Sequence, residues 1–263
     1  MANIFKSKPQ ILFILLAGFF IVNAIVAEFI GIKIFSLEQT LGFDPVSINL
    51  LGQTGLSFNL TAGVLLWPVV FIMTDLINEY YGPKAIRFLS WLTVGLIIYA
   101  FIMVFAAIST TPNEWWNLES GKLDANPVNH LSSMNLAFKK VMGQGLWIIF
   151  GSVIAFLVGQ VLDVFIFHRI KKVTGEGKIW LRATGSTLIS QFIDSYVVLI
   201  IAFYIGSDWE LSRVLAIGTV NYIYKFFMAF LLTPVIYWVH ALIENYLGHE
   251  QAQNLKDMAM GNE

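Results

Sequence analysis

Residues 59–82 read NLTAGVLLWPVVFIMTDLINEYYG, an apolar run that carries two carboxylates, Asp75 and Glu79. A helix needs about 20 mostly apolar residues to cross a bilayer, and Asn59–Tyr81 meets that requirement. An ionisable side chain in hydrocarbon costs at least about 2.5–3.5 kcal/mol, so such residues are usually paired or functional inside a helix bundle. The run therefore predicts a membrane-spanning helix whose acidic side chains have a partner or a function.

The composition assigns the whole chain to the same class. Of its 263 residues, 57% are hydrophobic and 13% are charged, whereas a soluble domain carries about 25% charged residues. The net charge of −1 provides no field that would attract nucleic acid. Because the chain lacks cysteine and its four histidines are scattered, we expect no disulfide, no metal site and no cofactor.

The chain has six apolar runs that are each long enough to span a membrane. They predict an all-α membrane protein, a bundle of six transmembrane helices in a single integral membrane domain over residues 1–263. The first run follows Lys6 and Lys8, as a signal peptide would, but it is too long and no convincing cleavage site follows. We therefore expect it to be a retained helix. The predicted helices are Ile11–Ile32, Asn59–Tyr81, Phe88–Ser109, Leu146–His168, Ala183–Ile205 and Leu215–His240.

Basic residues set the expected orientation, because cytoplasmic loops are enriched in Lys and Arg. With the N-terminus inside, the inner segments carry ten Lys and Arg residues and the outer segments five, while Lys225 lies within a span. The loop from Arg169 to Arg182 is the strongest single signal. Both termini are therefore predicted to be cytoplasmic.

The longest connection, residues 110–145, lies outside the membrane in this topology. Apolar residues recur in it at helical spacing, at Leu131, Met134, Phe138, Val141 and Met142. This spacing predicts a short amphipathic helix on the outer surface. Such a helix would either cap the bundle or gate a substrate path.

The second predicted helix places Pro68, Asp75 and Glu79 on one face, on successive turns. Because proline lacks an N–H, we expect Pro68 to kink this helix where its backbone is buried or lines a cavity. The presence of Glu79 in this span is explained equally well by a structural ion pair with Arg87 or Arg182 at the inner interface and by a functional role. Asp75 lies one turn deeper, and for it a functional role is favoured.

The fourth and fifth predicted helices share a short pattern, Gln160-x-x-Asp163 and Gln191-x-x-Asp194. Residues three apart are neighbours on a helix, so two antiparallel helices could turn both pairs toward one cavity. A stripe of small residues that ends at Gly159 would let these helices approach closely. The alternative is polar contact between helices alone, at about 0.6 kcal/mol per contact.

The sixth predicted helix carries Asn221 and Lys225 on one face. Counted from opposite sides of the membrane, Lys225 and Asp194 lie at similar depth, which predicts a buried ion pair. That pair would serve a substrate or only fix the helix register. Glu28 in the first predicted helix is a weaker candidate, because it lies near the outer end and could reach water.

Seven short motifs follow one another along residues 59–234. They are Trp67-Pro68, Thr74-Asp75, Glu79-Tyr80-Tyr81-Gly82, Gly159-Gln160-x-x-Asp163, Trp180-Leu-Arg182, Ser190-Gln191-x-x-Asp194-Ser195 and Tyr224-Lys225. In combination they resemble the bacterial queuosine precursor transporters, a family once filed as vitamin uptake transporters. The resemblance is looser in the first span, in residues 32–58 and in the C-terminal tail.

The resemblance implies a non-enzymatic, six-helix inner-membrane protein that imports 7-deazaguanine bases such as preQ0, preQ1 or queuine for tRNA modification. Such a base is planar and presents N–H donors, which a carboxylate accepts. The partners would be this small molecule and the lipid bilayer, without direct nucleic acid binding; a homo-oligomer stays open. The substrate-binding candidates are Asp75, Glu79, Gln160, Asp163, Gln191, Asp194, Asn221 and Lys225.

Three other functions were weighed. The chain lacks a Walker A motif, so it hydrolyses no ATP itself, but it could be the membrane-embedded binding subunit of an ATPase-driven importer. An intramembrane aspartyl protease would need Asp163 and Asp194 to share a proton, and no Gly-x-Gly-Asp motif surrounds either residue. A structural scaffold is disfavoured by the number of charges in the spans.

The topology can be tested with single cysteines, since the chain has none of its own. A cysteine at Ser120 should react with an impermeant thiol reagent added to intact cells, and a cysteine at Gly175 should react only after lysis. Labelling of the Gly175 position from outside would overturn the predicted orientation.

Overall fold

The structure, a computed structural model, describes residues 7–113, 116, 134–143, 146–174 and 179–261. These residues are mostly helical. The helices, in chain order, are α1 (Lys8–Ile30), α2 (Leu37–Thr40), α3 (Trp67–Ser109), α4 (Met134–Met142), α5 (Leu146–Thr174), α6 (Ile179–Leu199), α7 (Leu211–Leu247) and α8 (His249–Gly261). A π-helical stretch, Ile200–Ile205, continues α6.

Five helical stretches of the described residues are long and apolar enough to cross a membrane. They are Lys8–Ile30, Trp67–Ser109, Met134–Thr174, Ala183–Ile205 and Leu211–Leu247. The second of these stretches covers most of the second predicted span and all of the third. The predicted amphipathic helix is present as α4 over Met134–Met142. Its position on the outer surface stays a prediction, and Leu131 lies outside the described residues.

The described residues are mostly helical, as predicted, and short strands that the prediction did not include lie between α1 and α3. Strand β1 (Ile34–Ser36) pairs antiparallel with β4 (Asn59–Thr61), and β2 (Ile48–Leu50) pairs antiparallel with β3 (Gln53–Leu56). A 3₁₀ turn, Ala62–Leu65, then leads into α3. The predicted span from Asn59 therefore begins eight residues early, because the backbone of its first residues forms hydrogen bonds with β1 and not within a helix.

The predicted kink at Pro68 is also wrong. Pro68 lies in the first turn of α3, where N–H groups have no partner within the helix, so its missing N–H is tolerated. The helix breaks at Gly82 instead, where the backbone adopts φ 80° and ψ 175°, and Pro83 follows. Glycine reaches this conformation at no steric cost, and proline is well suited to start the next helical turn.

The chain folds back at Gly82. Thr74 and Ser90 lie eight residues before and after the break, yet both hydroxyls lie within hydrogen-bonding reach of Gln160 Oε1, at 3.3 and 3.5 Å. In one straight helix, residues this far apart would be separated by about 24 Å along the axis. The two parts, residues 67–81 and 83–109, are called the first and second halves of α3 below. They match the second and third predicted spans.

Helices α5 and α6 pack closely, as the stripe of small residues predicts. A Cβ added to Gly151 would lie 3.1 Å from the carbonyl oxygen of Val198 on α6. A Cβ added to Gly159 would lie 3.7 Å from the Asp194 Cβ. Larger side chains at these positions would push the helices apart, so the stripe sets their separation.

Residues 78–82, called the inner junction below, connect the end of the first half of α3 to the surrounding helices. Asn78 Oδ1 lies 2.7 Å from His168 Nε2, and Glu79 forms a 3.2 Å ion pair with Lys171, both on α5. Each side chain of the ion pair is only 1% exposed. The predictions for Glu79 did not include Lys171, whose proximity follows from the packing of α5 on α3.

The rest of the inner junction contacts three more elements. Tyr80 Oη lies 3.0 Å from His240 Nδ1 of α7. Tyr81 Oη donates a 2.7 Å hydrogen bond to the Pro9 carbonyl of α1. Gly82 packs against Ala259 of α8. A segment of five consecutive residues therefore contacts α1, α5, α7 and α8.

The Gly82→Ala variant should lower stability by about 1–3 kcal/mol, because alanine is strained at this backbone conformation. The added methyl would also lie 3.0 Å from the Ala259 carbonyl oxygen. Gly95→Ala is the control, since Gly95 is helical and nothing lies within 4 Å of its added Cβ. Thermal unfolding in detergent measures the stability of both variants. Equal melting temperatures of the two variants would show that a side chain at position 82 does not strain the backbone.

Candidate functional site

Two cavities lie on the faces of α6 and α7. The central cavity, about 550 Å³ including the space at its opening, lies between the first half of α3, α6 and α7. The outer cavity, named for the side on which the predicted orientation places it, is about 1490 Å³ including its opening and lies between the end of α1, the strands β1 and β4, and helices α4 to α7. Both cavities are lined by Val64, Trp67 and Lys225, so these side chains lie at the boundary between them.

The central cavity combines apolar walls with a few convergent polar groups. Its aromatic lining comes from Trp67 and Phe71 on α3 and from Tyr224 on α7. Asp75, 2% exposed, and Gln191, 4% exposed, place a carboxylate and an amide on this lining. Among the described residues the Gln191 Nε2 group has no hydrogen-bond partner. Buried amide donors are nearly always satisfied, so this group is suited to donate to a ligand.

The outer cavity contains the charged residues of three helices. Glu28 on α1, Asp194 on α6 and Lys225 on α7 all line it, together with Asn221. The Ser152 hydroxyl donates to Glu28, which is buried. Sequence reasoning ranked Glu28 low because of its position near a helix end. The signal that could have found it was the presence of an acid within an otherwise apolar span.

The predicted pair between Asp194 and Lys225 is confirmed. Lys225 Nζ lies 2.6 Å from Asp194 Oδ2, and the Lys225 and Asp194 side chains are 17% and 23% exposed, so the pair is partly exposed and not fully buried as predicted. The pair connects α6 to α7 at the boundary between the two cavities. Each charge neutralises the other where neither could be fully hydrated.

The two Gln-x-x-Asp pairs lie in different surroundings. Gln191 lines the central cavity and Asp194 the outer one, whereas neither Gln160 nor Asp163 lines any of the cavities described here. Gln160 accepts from hydroxyls on both halves of α3, and Ser190 donates to Asp163 Oδ1 at 3.3 Å. The α5 pair thus connects helices inside the bundle, and the α6 pair faces the cavities.

Helix α4 lies at the edge of the outer cavity. Lys140, near its end, and Gly143, just beyond it, line the cavity beside Ile148 of α5. The predicted amphipathic helix therefore lies where a cap or a gate over the outer cavity would be.

The chain is similar to known transporters over most of its length. Residues 61–239 match a family model described as "Putative vitamin uptake transporter". A "Probable queuosine precursor transporter" of Bacillus subtilis is 29% identical over 78% of this chain and 83% of its own length. A protein of the same description from Haemophilus influenzae is 26% identical over 70% of this chain and 69% of its own.

A third relative is the "Queuosine precursor transporter" of Escherichia coli, 26% identical over 74% of this chain and 76% of its own length. No solved structure matches the chain significantly.

The Asp194–Lys225 pair can be tested by a double-mutant cycle. Lys225→Met or Asp194→Asn alone leaves one partner without its counter-charge and should cost about 2 kcal/mol of stability, at the low end for buried pairs because both side chains are partly exposed. The double variant should recover much of that loss. Thermal melting in detergent measures the stability of the unaltered protein and the three variants. Additive losses of stability in the double variant would show that the two charges do not interact.

Proposed function

The chain belongs to the vitamin uptake transporter family and is a multi-pass bacterial membrane protein, and on this basis we propose that it imports queuosine precursors across the inner membrane. The substrates would be 7-deazaguanine bases such as preQ0, preQ1 or queuine, taken up for tRNA modification. The observation that carries the proposal is the central cavity, whose largely apolar lining with aromatic side chains and a few polar groups matches a planar, donor-rich base.

The lining of the central cavity supplies each element of such recognition. The Asp75 carboxylate accepts N–H groups from the Watson–Crick edge of the base, as acidic side chains do at base edges. The Gln191 amide donates to its carbonyl oxygen. Trp67 provides an aromatic face for stacking, a contact worth about 1–3 kcal/mol per base.

The outer cavity would receive the base first. Asp194, Asn221 and Glu28 present acceptors there, and the amine of preQ1 or queuine favours a second carboxylate of this kind. To pass from the outer to the central cavity, the substrate must move past Trp67 and the Asp194–Lys225 pair. We propose that these side chains gate the path, with α4 at its outer edge.

The remaining candidates would support the site from a distance. Gln160 and Asp163 hold α5 against α3 and α6, and Glu79 anchors the inner junction through Lys171. We propose that they are positioning residues, because they do not line the central or the outer cavity.

Six membrane crossings with both termini in the cytoplasm fit this mechanism. The reversal at Gly82 supports the count, since it divides α3 into two apolar halves that lie side by side. Binding between helices near the middle of the membrane, with alternate opening to each side, is the usual arrangement in secondary transporters.

The two alternative functions are an ATPase-driven importer and an intramembrane protease. Co-purification of ATPase subunits would assign the chain to a multi-component importer with the same binding site. The protease is disfavoured because Asp163 and Asp194 have different partners, Ser190 and Lys225, and only Asp194 lines a described cavity.

The proposal is tested in a bacterium that can neither make nor import preQ1. The chain is expressed, each base is supplied outside, and queuosine in tRNA is measured relative to the amount of protein in the membrane. Gln191→Leu removes a donor from the central cavity and should lower uptake about ten-fold. Asp194→Asn removes an acceptor and a charge and should lower it at least about ten-fold.

Gln160→Leu is the matched control, because it removes the same amide from a buried position outside the cavities. It should lower protein abundance or melting temperature, and its effect on uptake per molecule should be smaller than that of Gln191→Leu. Near-normal uptake by both Gln191→Leu and Asp194→Asn would refute the proposed site. Absence of queuosine with every base supplied to the unaltered protein would refute the proposed function.

A further inference from the structure

A third cavity, called the basic cleft below, lies between the start of the second half of α3 and the end of α5. Its volume is about 650 Å³ including the space at its opening. Its lining contains four basic side chains, Lys84 and Arg87 from α3 and Arg169 and Lys172 from α5. Among the residues that the structure describes, its lining includes no acidic side chain. Two helices thus direct their positive charge into one concave site.

The surface next to the basic cleft is apolar on both helices. Phe88 and Trp91 follow Lys84 by one and two turns on α3, and each is more than half exposed. Val161 and Phe165 precede Arg169 by two turns and one turn on α5 and are also more than half exposed. Each helix thus carries cations at the cleft and exposed apolar side chains within the next two turns.

This combination of charge and apolar surface matches a phospholipid more closely than a soluble anion. We propose that the basic cleft binds the phosphate headgroup of one anionic phospholipid, with an acyl chain along Phe88 and Phe165. Basic pockets between transmembrane helices on the cytoplasmic side are known to take such headgroups, and residues 83–87 lie on the side predicted to be cytoplasmic. The proposal is independent of the transported substrate.

A bound lipid would stabilise the inner junction. His168 lines the basic cleft and its Nε2 atom lies 2.7 Å from Asn78 Oδ1, while Lys171, which pairs with Glu79, lies next to Lys172 on α5. A headgroup that bridges the two helices would hold α5 against the second half of α3 beside these contacts. Anionic lipid should therefore raise the stability of the protein.

The test uses the full chain purified in a neutral detergent. Native mass spectrometry measures retention of phosphatidylglycerol and of phosphatidylcholine with matched acyl chains. The unaltered protein should retain phosphatidylglycerol selectively, and Arg87→Gln/Arg169→Gln should lose about 30-fold in affinity for it. Lys33→Gln/Lys139→Gln is the matched control, because it removes two exposed charges outside the cleft and should bind as the unaltered protein does.

A second measurement does not depend on any variant. A photoactivatable phosphatidylglycerol is cross-linked to the unaltered protein in bilayers, and the labelled peptides should lie within residues 83–91 and 161–172. Labelling elsewhere, equal retention of phosphatidylcholine, or unchanged retention by Arg87→Gln/Arg169→Gln would overturn the proposal. Full competition by inorganic phosphate would also overturn it, since the cleft would then be a site for soluble anions.

Discussion

The inner junction is the constraint on which the rest of the structure depends. The chain turns back on itself at Gly82, which is buried among other helices, so the interrupted backbone is shielded from water. The residues just before the turn hold polar partners on other helices. Because consecutive residues contact α5, α7, α1 and α8, the positions of those helices are all set relative to this one segment.

Different interactions hold helices α5, α6 and α7 together. Apolar helices in lipid gain little from the hydrophobic effect when they associate, so close packing of small residues and polar contacts must hold them. Gly151 and Gly159 bring α5 against α6, and the Asp194–Lys225 pair joins α6 to α7. The first half of α3 lies opposite α6 and α7 across the central cavity, so space remains there for a ligand.

The buried polar residues therefore fall into two groups with different functions. Glu79, Gln160 and Asp163 contact neighbouring helices and line neither the central nor the outer cavity, so they contribute to the bundle itself. Asp75 and Gln191 line the central cavity, where a ligand can reach them. A transporter needs both groups, because a binding site is specific only when the helices that carry it are held in register.

The sequence by itself determined the membrane class, the positions of most apolar helices and the pairing of Asp194 with Lys225. These follow from local composition, helical periodicity and the high free energy of an unpaired charge in hydrocarbon. Only the tertiary structure decided which of two similar Gln-x-x-Asp pairs faces a cavity, that Lys171 pairs with Glu79, and that Glu28 joins the outer cavity. The same holds for the strands before α3, since strand pairing joins residues that are distant in sequence. The direction in which a polar side chain faces depends on how its helix is rotated against its neighbours, and that rotation is set by packing between helices.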